Sequence, residues 1–485
     1  MIAVSNETMR FSDTAVISKG VSGRELMARA SKALFDAVQA IEKTKIVLFC
    51  GNGNNGGDGY ALALLLFEHK YDFELYGQIP KSQDAKFYYD KCFTLFADKM
   101  HSLEDCVNLD RHIGIAIDCL YGSGYRGELA KETRLVTNTI NNYGYVISCD
   151  IPSGLNGNNG LADKYAVRAD LTVAIGSLKS GHLLNDGKDY SGEIIVADIG
   201  IPIIGEVYQI IDETFCLKCF PKRLNNTHKG SYGRVKIIAC SESYVGAGIL
   251  SASACINVLG ETALKVGAGL CTLNVPDDMF SSMWQRVLHC TLEKRSKLTL
   301  GDSVIAYGMG VGESKILPKL LNQKMPLLID ADGLSELSAN IELLLTKKCQ
   351  VVLTPHPKEM SRLMGCDMQE ILDSPIERAK SLAKKYNVVV LLKGCSTIVT
   401  DGEKVAIITK GTSAMAKGGS GDVLSGIIIG LIAKGNSIFD SACTGAYIAG
   451  YAGMLAEKDF SSDTVMAIDT SEYVKRAVVN IIKSK

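Results

Sequence analysis

Apolar and polar positions change rhythm many times along this chain, and the rhythm alone sketches its elements. Between residues 23 and 41 the apolar positions Leu26, Met27, Ala30, Leu34 and Val38 recur at helical spacing, so one face of a helix is predicted there. From about residue 45 onward, short runs rich in Val and Ile alternate with longer helical patterns, which predicts parallel α/β structure throughout. In the first half, strands are expected over residues 45–50, 73–76, 113–118, 145–150, 171–175 and 193–198. The second half restarts with a strand at 234–240 and a small-residue helix at 249–266. Further strands are expected at 270–275, 303–307, 326–330, 350–354, 388–393, 396–400 and 404–409, with helices closing the chain. The stretch 198–221 breaks the pattern, so the chain is divided into domains 1–215 and 216–485.

Composition narrows the function classes. Lys plus Arg number 52 against 53 Asp plus Glu, a net charge of -1, which supplies no field for nucleic acid or an anionic membrane. With 47 glycines and 10 prolines, the chain is suited to tight turns under phosphates rather than to disorder. The 15 cysteines are scattered, mostly inside apolar runs, as in a reduced cytoplasmic protein. One C-x-x-C, Cys216 and Cys219, has no second pair and reads as two ordinary thiols in a connector. The first twenty residues lack the apolar core of a signal peptide, and the apolar run 423–433 is too short to span a bilayer.

Candidate chemistry gathers first at the expected C-terminal ends of the early strands. The run GNGNNGGDG at 51–59 lies between a strand and an apolar helix. Its Gly51-x-Gly53-x-x-Gly56 spacing is the dinucleotide fingerprint, with Glu74 where a ribose-binding acid belongs, so a dehydrogenase is one reading. Against it, Asn54, Asn55, Gly56, Gly57 and Asp58 make the turn far more polar than that fingerprint. Two more strands end in a carboxylate followed by a glycine turn: Asp118 ahead of GSGYRGE (Gly122, Ser123, Gly124, Tyr125, Arg126, Gly127, Glu128), and Asp150 in DIPSG with Ser153. Ligands of open parallel sheets collect at such strand ends, so the three loops are expected to line one crevice. Asn55, Asp118 and Ser153 offer hard oxygens suited to an alkali or alkaline-earth cation, backbone amides and Arg126 suit phosphate, and Asp150 is the candidate acid/base.

These motifs, with DIGIP at 198–202, resemble the NAD(P)H-hydrate epimerases over about residues 10–202. The resemblance implies a Rossmann-like three-layer sandwich and K+ at Asn55, Asp118 and Ser153. It also implies substrate contacts from Asn54 through Asp58, from Gly122 through Glu128, and from Asp150.

A second constellation lies near the C-terminus, where Gly418, Gly419, Ser420, Gly421 and Asp422 directly precede an apolar helix. Amides at a helix start form an anion hole for a transferring phosphoryl group, and Asp422 at its edge can take a proton from an attacking hydroxyl. The order of residues does not fit a Walker A loop. Upstream, DADGL (330–334), TPHPKEM (354–360, with His356) and KGCST (Lys393, Gly394, Cys395, Ser396, Thr397) each follow an expected strand. The set resembles the ribokinase-like ADP/ATP-dependent NAD(P)H-hydrate dehydratases over about residues 222–485. That resemblance implies nucleotide contacts at Lys393–Thr397 and at Met415, Ala416, Lys417 and Gly418 through Gly421. It further implies hydrate contacts at Gly312, His356 and Asp422, and Mg2+ with the nucleotide. The run YGMGVG at 307–312 departs from the family's usual Gly-Pro-Gly-Leu-Gly.

Together the resemblances imply repair of hydrated NADH and NADPH: epimerisation in the first domain, ADP-driven dehydration of the S epimer in the second. NADHX and NADPHX hydrates and ADP or ATP are the expected partners, in a homo-oligomer without nucleic acid or membrane. Two other readings stay open: a hydroxymethylpyrimidine- or sugar-type kinase, and a first domain that is a non-catalytic scaffold.

Overall fold

The computed structural model describes residues 1–41, 44–109, 113–241, 261–283 and 290–484. The chain packs as two compact units, residues 2–208 and, with Met1, residues 209–485. Residues 209–215, given to the first half by the sequence pattern, thus belong to the second unit. Ile211 and Phe215 are buried in its core, and so are Cys216 and Cys219, which are core thiols rather than connector residues. Burial pushes the Cys216 thiol up to about 12, so it is inert at neutral pH.

In the first unit the strands are β1 (Ile2–Val4), β2 (Ile46–Cys50), β3 (Phe73–Gly77), β4 (Met100–Ser102), β5 (Ile115–Cys119), β6 (Tyr145–Cys149), β7 (Leu171–Ile175), β8 (Leu178–Lys179) and β9 (Glu193–Ala197). Seven form a parallel sheet in the order β4-β3-β2-β5-β6-β7-β9, while β8 pairs with β1, Lys179 opposite Val4. Strand alternation builds the layers on the two faces. Ile46, Leu48 and Cys50 of β2 face a core with Leu34, Tyr60 and Leu62, while Val47 and Phe49 face another with Val136 and Ile140. The expected helix is present at Gly23–Gln39, started by Ser22, whose hydroxyl accepts from the Glu25 amide.

In the second unit the strands are β10 (Tyr208–Ile210), β11 (Arg234–Ile238), β12 (Leu270–Val275), β13 (Thr291–Lys294), β14 (Val304–Tyr307), β15 (Leu327–Ile329), β16 (Val351–Leu353), β17 (Val389–Leu392), β18 (Thr397–Thr400) and β19 (Val405–Ile408). They lie in the order β13-β12-β11-β14-β15-β16-β17-β18-β19-β10. The sheet is not parallel throughout: β18 runs antiparallel to both β17 and β19. The links at 393–396 and 401–404 are too short for a parallel crossover, which takes a dozen residues or more. Three helices, Ser420–Ala433, Ile438–Asp459 and Ala467–Lys483, contribute to the core on one face. The helix predicted at 249–266 lies outside the described residues except for 261–266, of which 261–265 are helical. No helix among the described residues is long and apolar enough to cross a membrane.

Each unit has its own hydrophobic core, so fragments 1–206 and 207–485 are expected to fold separately. Cooperative thermal unfolding and the native circular dichroism of each fragment are the check; aggregation of either contradicts it.

Candidate functional site

In the first unit a cavity of about 820 Å³ opens beside the ends of β2, β5 and β6, lined among others by Asn54, Asn55, Asp58, Gly122, Ser123 and Asp150. The three loops singled out by sequence therefore converge. Gly124, Tyr125, Arg126 and Glu128 also line it. Gly56, Gly57 and Gly127 are not among the lining residues. A Cβ on Gly57 would sit 2.7 Å from Ala85 Cβ, and one on Gly59 would sit 2.5 Å from Cys50 Sγ. Together with Gly56, where a Cβ would sit 1.9 Å from the Gly51 carbonyl oxygen, these glycines keep the start of the helix closely packed, while Asn54, Asn55 and Asp58 line the cavity. Glu74 lies within β3, where it accepts from Lys45 Nζ (2.8 Å) and the Tyr76 hydroxyl (3.2 Å). It is not at a strand end, and it is not among the lining residues; the ribose acid of the dehydrogenase reading is missing from its expected place.

Asp118 is fully buried, and its carboxylate is met by four donors: Ser153 Oγ (2.6 Å), the Ser153 amide (2.8 Å), Ser148 Oγ (2.9 Å) and the Leu120 amide (3.2 Å). Burial raises its pKa, and those bonds counter the rise. In the first turn of the helix Asn54–Glu68 that follows β2, the Asn55 side-chain nitrogen is buried without a partner among the described residues. The orphaned atom is a donor and does not itself point to a cation; the Asn55 side-chain oxygen and the Asp118 carboxylate are the hard-ligand types that an alkali or alkaline-earth ion takes.

Asp150 follows β6 with φ at 65°, a left-handed backbone that Asp tolerates better than most residues. Its carboxylate accepts from the Ser123 amide (3.0 Å) and from Lys179 Nζ, which also donates to the Ile175 carbonyl (2.7 Å). Burial would raise the Asp150 carboxyl, but the Lys179 ammonium holds it below the usual range, so it is ionised. His182 completes the arrangement. Its Nδ1 accepts from the Lys179 amide (3.1 Å), so Nε2 carries the proton and donates to the Asp150 carbonyl (2.9 Å). Burial depresses the His182 imidazole to about 4, which keeps it neutral. Sequence pattern does not reveal Lys179, His182 or the lining residue Asp13, because neither KSGHLL nor the chain around Asp13 carries a recognisable motif.

In the second unit Asp330, following β15, ties Lys393, in the first of the two nucleotide loops predicted from sequence, to the helix that begins within the second. It accepts from Lys393 Nζ (3.0 Å), from Ser425 Oγ of the Ser420–Ala433 helix (2.8 Å) and from the Ala331 amide (2.9 Å). Lys393 also lies 3.6 Å from Glu359. Burial would lower the Lys393 ammonium, and the two carboxylates hold it above its usual value. His356 caps the helix Pro357–Met364, accepting from the Glu359 amide (3.3 Å) through Nδ1. Burial lowers its pKa, leaving it neutral at pH 7. Gly312 donates its amide to Asp332 (2.9 Å). Ser396 Oγ is buried without a partner among the described residues, and Cys395 is exposed.

Gly419 precedes the apolar helix with φ at 94°, a conformation that costs glycine least, and the turn places Asp422 in the first helical turn. The Ser420 amide closes onto Lys417 (3.4 Å), and the Asp422 amide closes onto Gly419 (3.0 Å). Met415 and Lys417 serve the fold as well: Met415 packs at Gly453, and Lys417 Nζ donates to the carbonyls of Asp463 (2.6 Å) and Val465 (2.7 Å).

Comparison with known proteins bears on both units. A family model described as NAD(P)H-hydrate dehydratase matches residues 235–476, and one described as YjeF-related protein N-terminus matches residues 23–181. The chain is 30% identical over 498 residues to the bifunctional NAD(P)H-hydrate repair enzyme Nnr of Coxiella burnetii, covering 99% of each. To the enzyme of the same name from Helicobacter pylori it is 31% identical over 501 residues, covering 98% of this chain and 100% of that one. The Escherichia coli protein of that name is 29% identical, over 95% of this chain and 90% of its own. Among solved structures, the ADP/ATP-dependent NAD(P)H-hydrate dehydratase of Bacillus subtilis, co-crystallised with ATP and Mg2+, is matched with a TM-score of 0.50 at 22% identity. That match covers 56% of this chain and 99% of the other, a likeness of fold.

Proposed function

The chain belongs to the bifunctional NAD(P)H-hydrate repair enzymes, and from that membership we propose a division of labour between its two units. The first interconverts the R and S epimers of hydrated NADH and NADPH; the second dehydrates the S epimer with ADP, giving AMP and phosphate. The observation that carries this reading is the match along nearly the whole chain, both units in one order, to relatives named for the combined repair.

The chemistry asked of each site follows from the substrate. The hydrate carries a hydroxyl at C6 of the nicotinamide ring, a poor leaving group at neutral pH. In the second unit Asp422 accepts the proton of that hydroxyl as it attacks the nucleotide's terminal phosphoryl group. Amides of Gly418, Gly419 and Gly421 stabilise the charge that develops there. Departure of phosphate from C6 with the C–O electron pair, and loss of a C5 proton to solvent, then restore the C5=C6 bond of the reduced ring. Lys393 through Thr397 and Met415 through Gly421 bind the nucleotide, Gly312 and His356 the hydrate, and Mg2+ arrives on the nucleotide phosphates. In the first unit the ionised Asp150 serves as the acid/base group, with Asn54 through Asp58 and Gly122 through Glu128 around the substrate. Asn55, Asp118 and Ser153 would hold K+, which supplies a fixed positive charge for anchoring the substrate's phosphates. We place the enzyme in the cytoplasm, consistent with its scattered free thiols, and propose that it is a homo-oligomer.

The decisive experiment mixes the purified protein with separated hydrate epimers and ADP or ATP and follows recovery of absorbance at 340 nm. Conversion of both epimers is expected. A stable phosphorylated product would favour a kinase instead, and consumption of the S epimer alone would mark the first unit as a scaffold. Asp118→Asn should raise the KM for epimerisation by about tenfold, partly reversed by raising K+. An unchanged KM across K+ concentrations would remove the ion from the site.

A further inference from the structure

The cavity of the first unit holds more carboxylates than substrate binding requires. Asp13, Asp58 and Asp150 all line it, with the Lys179 ammonium buried beside them. Lys179 is committed to Asp150 and to the Ile175 carbonyl, whereas Asp58 is met by the Cys149 thiol at 3.9 Å, a weak donor. One carboxylate therefore has the cation and another faces the same space without it.

We propose that Asp58 is the proton donor to the C6 hydroxyl of the bound hydrate and Asp150 the matching base, with Lys179 as the positioning residue that divides the two roles. This rests on the epimerase reading above. Asp58 protonates the hydroxyl as the C6–O bond breaks, its electron pair leaving with oxygen as water, and the lone pair of ring nitrogen N1 forms an N1=C6 iminium. Water adds to the opposite face of C6, Asp150 takes its proton, and the N1=C6 pair returns to nitrogen. One water leaves and one enters, and the proton gained by Asp150 returns to Asp58 through solvent. No oxidant or nucleotide is needed.

The surroundings of the two carboxylates fit these roles. Burial, and then the charge of Asp150, push the Asp58 carboxyl well above its usual range, which favours the protonated form a donor needs. Also within electrostatic reach of Asp58 are Asp13 and Lys179, together with Cys50 of β2, Cys119 of β5, Cys149 of β6, and Tyr88 of the helix Gln83–Phe96. Burial lifts Asp13 to about 6. Lys179 is the one cation in this set, and its contact with Asp150 separates a proton-holding acid from an ionised base, as in other two-carboxylate sites.

The test is Asp58→Asn in the full chain, assayed without nucleotide by chromatography that resolves the hydrate epimers. The kcat for epimerisation should fall by about 10²-fold or more with KM changed by less than about threefold. The residual rate should rise about tenfold for each pH unit lowered, as hydronium replaces the missing acid. Asp58→Glu should recover part of the rate. Dehydration of the S epimer by the same preparation reports that the protein is intact. A rate within about threefold of the wild type, or a loss that keeps the wild-type pH profile, overturns the assignment. A wild type that fails to epimerise overturns the underlying reading, and the assignment with it.

Discussion

Asp422→Ala is expected to abolish dehydration, lowering kcat by about 10²-fold or more, while nucleotide affinity stays close to wild type. A proton acceptor at the reacting hydroxyl matters to the transition state far more than to the bound ground state, so the loss falls on kcat rather than KM. A factor of 10² corresponds to about 2.7 kcal/mol of barrier. The position supports this use. Asp422 sits in the first turn after the left-handed Gly419, and its charge reaches Cys240, whose thiol is pushed up to about 12 chiefly by burial. Asp422 is only partly buried, and the buried stretch of the helix begins after it at Val423, so removing this carboxylate should leave the core packing intact. The measurement is single-turnover recovery at 340 nm with the S epimer and saturating ADP. Epimerisation in the same preparation should continue, since that chemistry is assigned to the other unit. Near-normal turnover in a folded variant would dispose of the proposed phosphoryl-transfer mechanism.

Asp150→Asn should stop epimerisation, by about 10²- to 10⁴-fold, with hydrate binding preserved. Asn keeps the shape and tolerates the left-handed backbone at φ 65°, and its single oxygen can accept from Lys179 or from the Ser123 amide but not from both, because the two donors meet different oxygens of Asp150. It cannot take a proton from water. The substitution also leaves the Lys179 ammonium buried without its counter-charge, and breaking such a pair costs about 3–5 kcal/mol of stability. Thermal unfolding must therefore be recorded alongside the rates, and Asp150→Glu is the companion that restores charge without the native geometry. Unchanged rates in Asp150→Asn would sink the assignment.

How much of this could be read from sequence depends on where each signal lies. The first-unit strands announced themselves because both faces of the sheet are covered, which writes Ile46 through Cys50 as an unbroken apolar run. Asp118 and Asp150 were legible because each ends such a run and meets a glycine turn. Lys179 was not: its burial depends on the two-residue strand β8 pairing with β1 at the far end of the sequence, and no local pattern encodes that partner. Its acidic neighbour Asp13 was hidden in a helix whose pattern is only weakly amphipathic. In the second unit the same apolar content concealed strand direction, since β17, β18 and β19 read alike whether parallel or antiparallel. Link length carried that information, and four residues are enough for a hairpin but not for a crossover.

That antiparallel meander changes how the second site is assembled during folding. Joining β17 to β18 and β18 to β19 closes loops of only a few residues, so each step loses little chain entropy, whereas every parallel neighbour in the same sheet waits on a long crossover. Lys393 through Thr397 are the first of those links. The loop proposed to bind the nucleotide is thus carried by the most local part of the sheet. Asp330, its partner across the site, lies more than sixty positions upstream at 3.0 Å from Lys393 and joins only when the slow long-range contacts form. The site closes late although one wall of it belongs to the fastest-forming piece.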